Sequence, residues 1–204
     1  IAEVLESSRD VLLAFLDRIA FVSFVPRGFA EPDVLGTVVR RQAGGTGRAR
    51  LSMPLSIQDI DVLQDAADSV YVSDAMCNAL VKLVESLDAE LATAAKADPN
   101  FLPTRYFSTR TVVRAVKILR AITVYDKVFH HPERPLEARF ADFQLLHLHL
   151  LLAGMSPERI AKRLTRETDP RERRQLEIAR TEREIFERCL RKIPAITDVP
   201  AARP

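Results

Sequence analysis

Apolar residues recur at helical spacing through most of this chain, and the rhythm changes character in one place. Val4, Leu5, Val11, Leu12, Phe15 and Leu16 give an amphipathic pattern over residues 3–17, within which Ser7 and Ser8 mark a turn or a second start. Ile19-Ala-Phe-Val-Ser-Phe-Val-Pro26 is different, a short run of β-branched and aromatic residues stopped by proline, and it predicts a buried strand. A lone strand cannot bury itself, so its sheet partners are expected outside this sequence. Residues 31–41 predict a short helix, and Gly44-Gly-Thr-Gly-Arg-Ala-Arg50 a mobile glycine-rich linker. Beyond it the pattern predicts helices over 56–69, 73–91, 107–126, 136–153, 156–166 and 170–192. Breaks fall at Asp98-Pro-Asn, between His130 and Pro135, and at Gly154, and Pro194 to Pro204 reads as a loose end. The fold class expected is mainly α.

The helix over 107–126 is the most informative of these. Ser108 offers a side-chain oxygen to the orphan N–H groups, and Val112, Val113, Val116, Ile118, Leu119 and Ile122 form a wide apolar face. Arg110 stands in its first turn, where a cation works against the helix dipole. An arginine there is either an exposed helix-end residue or one held for a nearby anion.

Composition narrows the classes. With 204 residues the chain can build a proper core, and 47% hydrophobic and 28% charged residues are ordinary for a globular protein. A net charge of +2 is too small to argue for nucleic acid. Cys77 and Cys189 lie far apart inside helical patterns, as idle or buried thiols of a reducing compartment would. No apolar run is long enough to span a membrane, and residues 1–15 lack the layout of a signal peptide, so the cytoplasm is the expected compartment. The chain starts with Ile1 inside a helical pattern, which predicts a fragment or an engineered boundary.

Most candidate chemistry falls away on spacing. The glycine-rich segment has no lysine and no helix behind it, so it cannot be a phosphate-cradling P-loop. His147 and His149 are two apart and point to nearly opposite sides of a helix, while His130 and His131 lack a matching carboxylate cluster; no metal is expected. Ser156 and Pro157 open a helix like the first of a helix-turn-helix, but the next helix is of mixed charge. Twelve Lys/Arg against eight Asp/Glu over 157–192 read as a solvated face laced with pairs one turn apart. Two arginines remain. Arg18 lies between the first helix and the strand, where its plainest role is a surface charge beside Asp17 or Asp10. Arg110 is the other.

Four segments in order give these arginines a context. Phe15-Leu-Asp-Arg-Ile-Ala-Phe-Val-Ser-Phe-Val25 is followed by Leu55 to Leu63 with Val70 to Val81, then Ser108-Thr-Arg110, then Ala141-Asp-Phe-Gln-Leu-Leu146. Over residues 1–153 the chain resembles the second half of a AAA+ ATPase, and more narrowly the RavA-like branch of the MoxR family. The resemblance implies an end of the α/β ATPase core (1–41, helix and strand), a linker (42–54) and a helical lid (55–153); beyond it the sequence pattern predicts a helical extension (154–193) and a disordered tail (194–204). It implies Arg18 as an arginine finger acting on a neighbouring subunit's nucleotide, and Arg110 as the sensor 2 arginine facing the phosphates of ATP. A guanidinium, planar and permanently charged, suits both roles. Ile19 stands where the family has an aromatic or methionine, Thr109 where it has Pro or Asp, and residues 154–204 match no part of it.

Walker A, Walker B and the first sensor residue are expected before Ile1, so ATP and Mg2+ would bind through a preceding core and this chain alone would not hydrolyse ATP. The partners implied are that core segment, a homo-oligomeric ring, expected as a hexamer, and a client protein; neither membrane nor nucleic acid is implied. The function expected is coupling of ATP hydrolysis to chaperone-like remodelling. The alternative is a non-enzymatic helical regulatory or scaffold module, binding a partner or nucleic acid through 155–192.

Overall fold

Serine caps and apolar stripes set most of the helices. A computed structural model describes residues 19–23, 36–37, 39–40, 43, 56–105, 107–153 and 156–194. In chain order it contains β1 (Val22–Ser23), α1 (Ile57–Asp68), α2 (Asp74–Ala97), α3 (Thr109–Phe129), a 3-10 segment (Phe140–Leu146), α4 (His147–Leu150), β2 (Leu152–Ala153), α5 (Pro157–Leu164) and α6 (Pro170–Lys192). The fold is mainly α. No helix among the described residues is long and apolar enough to cross a membrane.

The core lies between α2, α3, the 3-10 segment and α6. Ser73 caps α2 by accepting from the Met76 N–H at 3.3 Å, and Met76, Leu80, Leu83, Leu87 and Leu91 follow as a buried stripe three or four residues apart. Each such leucine contributes about 2 kcal/mol by leaving water, so this stripe anchors the bundle. The helix runs past the predicted end at 91, because Ala92, Ala94, Ala95, Lys96 and Ala97 are strong helix formers, and stops at Asp98. Pro99 forces the residue before it out of the helical region, and Asp98 has φ −125° and ψ 106°. α1 has a Ser56–Asp59 capping box yet buries no side chain fully, and Asp68 meets Arg120 of α3 at 3.6 Å. α6 packs on α2, where Arg188 and Lys192 both reach Glu90, at 2.9 and 2.6 Å.

The predicted helix over 136–153 does not form as one piece. Ala138 donates to the Tyr71 carbonyl and Tyr71 to that of Leu136, each at 2.9 Å, so the chain first bridges back to the loop before α2. Asp142 then accepts from the Arg139 N–H at 2.8 Å and the Thr123 hydroxyl at 3.2 Å, which fixes a 3-10 start. Leu151 is extended (φ −123°, ψ 179°), and residues 152–153 leave as a strand. Phe143, Leu146, Leu150 and Leu151 are buried without the segment forming one helix, so its apolar density was no measure of helical period.

A second correction concerns the strand. Its partner lies in this chain: β1 pairs parallel with β2, Val22 opposite Leu152 and Ser23 opposite Ala153. The ladder is two residues long. The helix expected over 3–17, the glycine-rich stretch 44–50 and residues 195–204 lie outside the described residues. Gly36, Thr37, Val39, Arg40 and Ala43 are helical, the last of them inside the expected linker.

Candidate functional site

Three backbone segments far apart in sequence meet at the start of α3. Ser108 caps that helix: its hydroxyl accepts from the Thr111 N–H at 3.4 Å, while the Ser108 N–H donates to the Thr111 hydroxyl at 3.1 Å. Arg110 is exposed in this first turn, which contains no acidic residue, and Arg114 stands one turn further along on the same side, half-buried. Arg18 lies outside the described residues, but Ile19, the next residue, is described and sits against this region.

Two buried side chains make the junction. Nη2 of Arg105 donates to the carbonyl of His149 at 2.9 Å and to that of Ile19 at 3.2 Å, with the Ala20 carbonyl at 3.5 Å. The His149 ring lies between the Ala20 carbonyl, 2.7 Å from Nδ1, and the Thr111 carbonyl, 3.2 Å from Nε2. Phe21 meets the ring edge-on at 6.4 Å. Burial pushes the imidazole below its ordinary pKa; the two carbonyls pull it back, and the charges of Arg105 and Arg114 add to the effect of burial. A neutral ring carries one N–H, which it can donate to the Ala20 or to the Thr111 carbonyl, one at a time.

His149 is therefore neither a surface nor a core-edge histidine, being 1% exposed. His147 faces elsewhere, as the two-residue spacing implies: its Nδ1 lies 2.6 Å from the Gln144 carbonyl and its ring 6.0 Å from that of Phe186. Among the described residues no cluster of three or more His, Cys, Asp or Glu could hold a metal ion. Cys77 and Cys189 are free thiols on α2 and α6, the second buried near the Ser86 hydroxyl at 3.5 Å.

Sequence reasoning missed Arg105. Its partners are carbonyls, which carry no side-chain signature, and the only clue was an arginine in a short loop between apolar helices. It also passed over a charged group inside the bundle. Arg134 joins Asp142, Asp126 at 2.7 Å and the Glu137 carbonyl at 3.0 Å, with His131 Nδ1 3.1 Å from Asp126. The Arg134 guanidinium holds the Asp126 carboxyl below the usual carboxylate range against the opposing effect of burial, and His131 assists. These groups are paired to one another, so they fasten the loop after α3 rather than present free chemistry.

The extension is self-paired as well. Arg173–Glu177, Arg180–Glu184 and Arg183–Glu187 lie one turn apart at 3.2, 3.7 and 2.9 Å, and α5 packs on α6 through Ile160, Leu164 and Leu176. A shallow cleft of about 280 Å3 between the 3-10 segment and α6 is lined by Gln144, Arg183, Phe186, Glu187, Leu190 and Arg191. Its ion pair leaves it without an obvious reactive group. No protein-family model matches the chain, and no curated protein or solved structure matches it either.

Proposed function

We propose that this chain is the end of the core, the lid and a helical extension of a MoxR-type AAA+ ATPase of the RavA-like branch. The observation that carries the reading is the position of Arg110, an exposed residue in the first turn of a helix capped by Ser108. Such a group fits a phosphate, since a cation and a helix N-terminus both favour an anion. ATP with Mg2+, held by a preceding core, supplies a transferring phosphoryl group on which negative charge accumulates. Arg110 reads the phosphates from the lid, and Arg18 serves a neighbouring subunit in a ring, a hexamer by family analogy. Chaperone-like remodelling of a client rests on that analogy alone.

The test is nucleotide binding by this chain, alone and with the preceding core segment added in trans. Binding only with the core present, and lost in Arg110→Ala, is the expected result. No binding in either case removes the ATPase reading.

One observation favours the second reading, a helical interaction module. Ile57 and Val62 of α1 are 75% and 65% exposed, and Phe129 at the end of α3 is 67% exposed. Exposed apolar side chains suit the docking of a protein partner where they form one patch.

A further inference from the structure

We infer that Arg105 and His149 are positioning residues that tie the segment following Arg18 to the first turn of α3, so that the two move as one body. The Ala20 carbonyl is the shared point, approached by the His149 ring at 2.7 Å and by the Arg105 guanidinium at 3.5 Å. Arg105 adds the Ile19 carbonyl and, on the other side, the backbone of His149 itself. The ring of His149 then rests against the Thr111 carbonyl, one residue after Arg110. Residues 19–23 are thus gripped at 19 and 20 by side chains and at 22 and 23 by the ladder to β2.

The strength of the tie lies in its burial. Arg105 and His149 are 8% and 1% exposed, so water cannot take over the bonds they make. A two-residue ladder alone is too short to hold a strand, and the side-chain grip compensates for that. On the AAA+ reading proposed above, on which the functional meaning of the tie rests, the segment after the finger candidate and the turn bearing the sensor candidate share one anchor. A change felt at Arg110 is then passed to the Arg18 segment through His149 without any intervening flexible chain.

Hydrogen–deuterium exchange on the complete chain tests this without nucleotide. His149→Leu removes the donor but keeps an apolar filler of similar bulk. It is expected to speed exchange roughly tenfold in residues 19–23 and in the first turn of α3 together, while α2 and α6 stay protected. His149→Gln restores an N–H donor and should recover most of the protection, which mere filling of space would not do. Unchanged exchange in both segments, or a change in only one of them, overturns the tie. Should the leucine variant also loosen α2 and α6, Arg105→Lys decides. That variant keeps the charge but loses the planar fork, and faster exchange in 19–23 together with the first turn of α3 supports the tie, whereas unchanged exchange in either of them overturns it. Failure here leaves the nucleotide-binding test untouched, and failure of that test leaves the tie standing as a feature of the fold.

Discussion

The guanidinium of Arg134 lies directly against the carboxylate of Asp142, with the two side chains only 2% and 7% exposed. Asp142 also accepts from Thr123 of α3 and from the Arg139 N–H, so one carboxylate joins three segments. Removing one partner of such a pair leaves the other charge buried and uncompensated. Asp142→Asn is expected to lower unfolding free energy by about 3 kcal/mol, measured by denaturant titration. The pair Arg134→Met with Asp142→Leu should cost less than the sum of the single changes, because neither charge of the buried pair is then left without the other. Strict additivity would show that the two groups do not act as a unit.

Burial lowers the pKa of both His147 and His149 in the folded protein. The unfolded chain therefore takes up protons first, from about pH 6.5 downward, while the folded rings remain neutral. Stability is full above that pH and is lost as pH falls toward the depressed folded values. His149→Gln should flatten part of this acid slope in thermal or denaturant unfolding followed between pH 7 and 5. A slope unchanged in both His149→Gln and His147→Gln would assign the loss to other groups. Asp126 acts lower down: its folded pKa is depressed, so its contribution is present above the unfolded carboxylate value and disappears as pH drops through the folded one.

How much of this was written locally differs from element to element. α2, α3 and α6 were legible because caps at Ser73, Ser108 and Asp169 stand before apolar positions three and four apart. Residues 136–153 were not, because their conformation is imposed from a distance: Arg134 and Thr123 fix Asp142, and residues 22–23 draw out 152–153. The same applies to the strand, whose partner was sought outside the chain when it lay 130 residues onward in register with Val22 and Ser23. Arg110 could be singled out by its position after a capping serine. Arg105 could not, since its partners are peptide carbonyls from residues 19, 20 and 149.

Burial separates the helices energetically. Leu87 of α2 is 0% exposed within the core, so Leu87→Ala should destabilise the protein by about 3 kcal/mol through lost transfer energy and a residual cavity. Val62→Ser on α1 should change stability by less than about 0.5 kcal/mol, since the side chain already faces solvent. Equilibrium unfolding of the two variants checks the contrast. A Val62→Ser cost near that of Leu87→Ala would mean that the exposed face of α1 is covered in solution, and sedimentation or light scattering would then reveal whether a second copy covers it.

On the AAA+ reading proposed above, the two arginines make separable kinetic predictions once the preceding core is present. Arg110→Ala should lower ATP turnover by roughly a hundredfold, the scale of removing one preorganised charge donor from a transferring phosphoryl group. The fold should persist, because Arg110 is exposed and the cap is made by Ser108. Arg18→Ala should lower turnover by roughly a thousandfold, as expected for a finger acting on the transition state. Only the second defect should respond to mixing. Subunits carrying Arg18→Ala and subunits crippled in their own nucleotide site, each inactive alone, should regain part of their activity in mixed rings. The sites of the Arg18→Ala subunits are then served by intact arginines from their neighbours. Absence of any recovery would count against a residue acting across the subunit boundary, and normal turnover in Arg110→Ala would remove the sensor role.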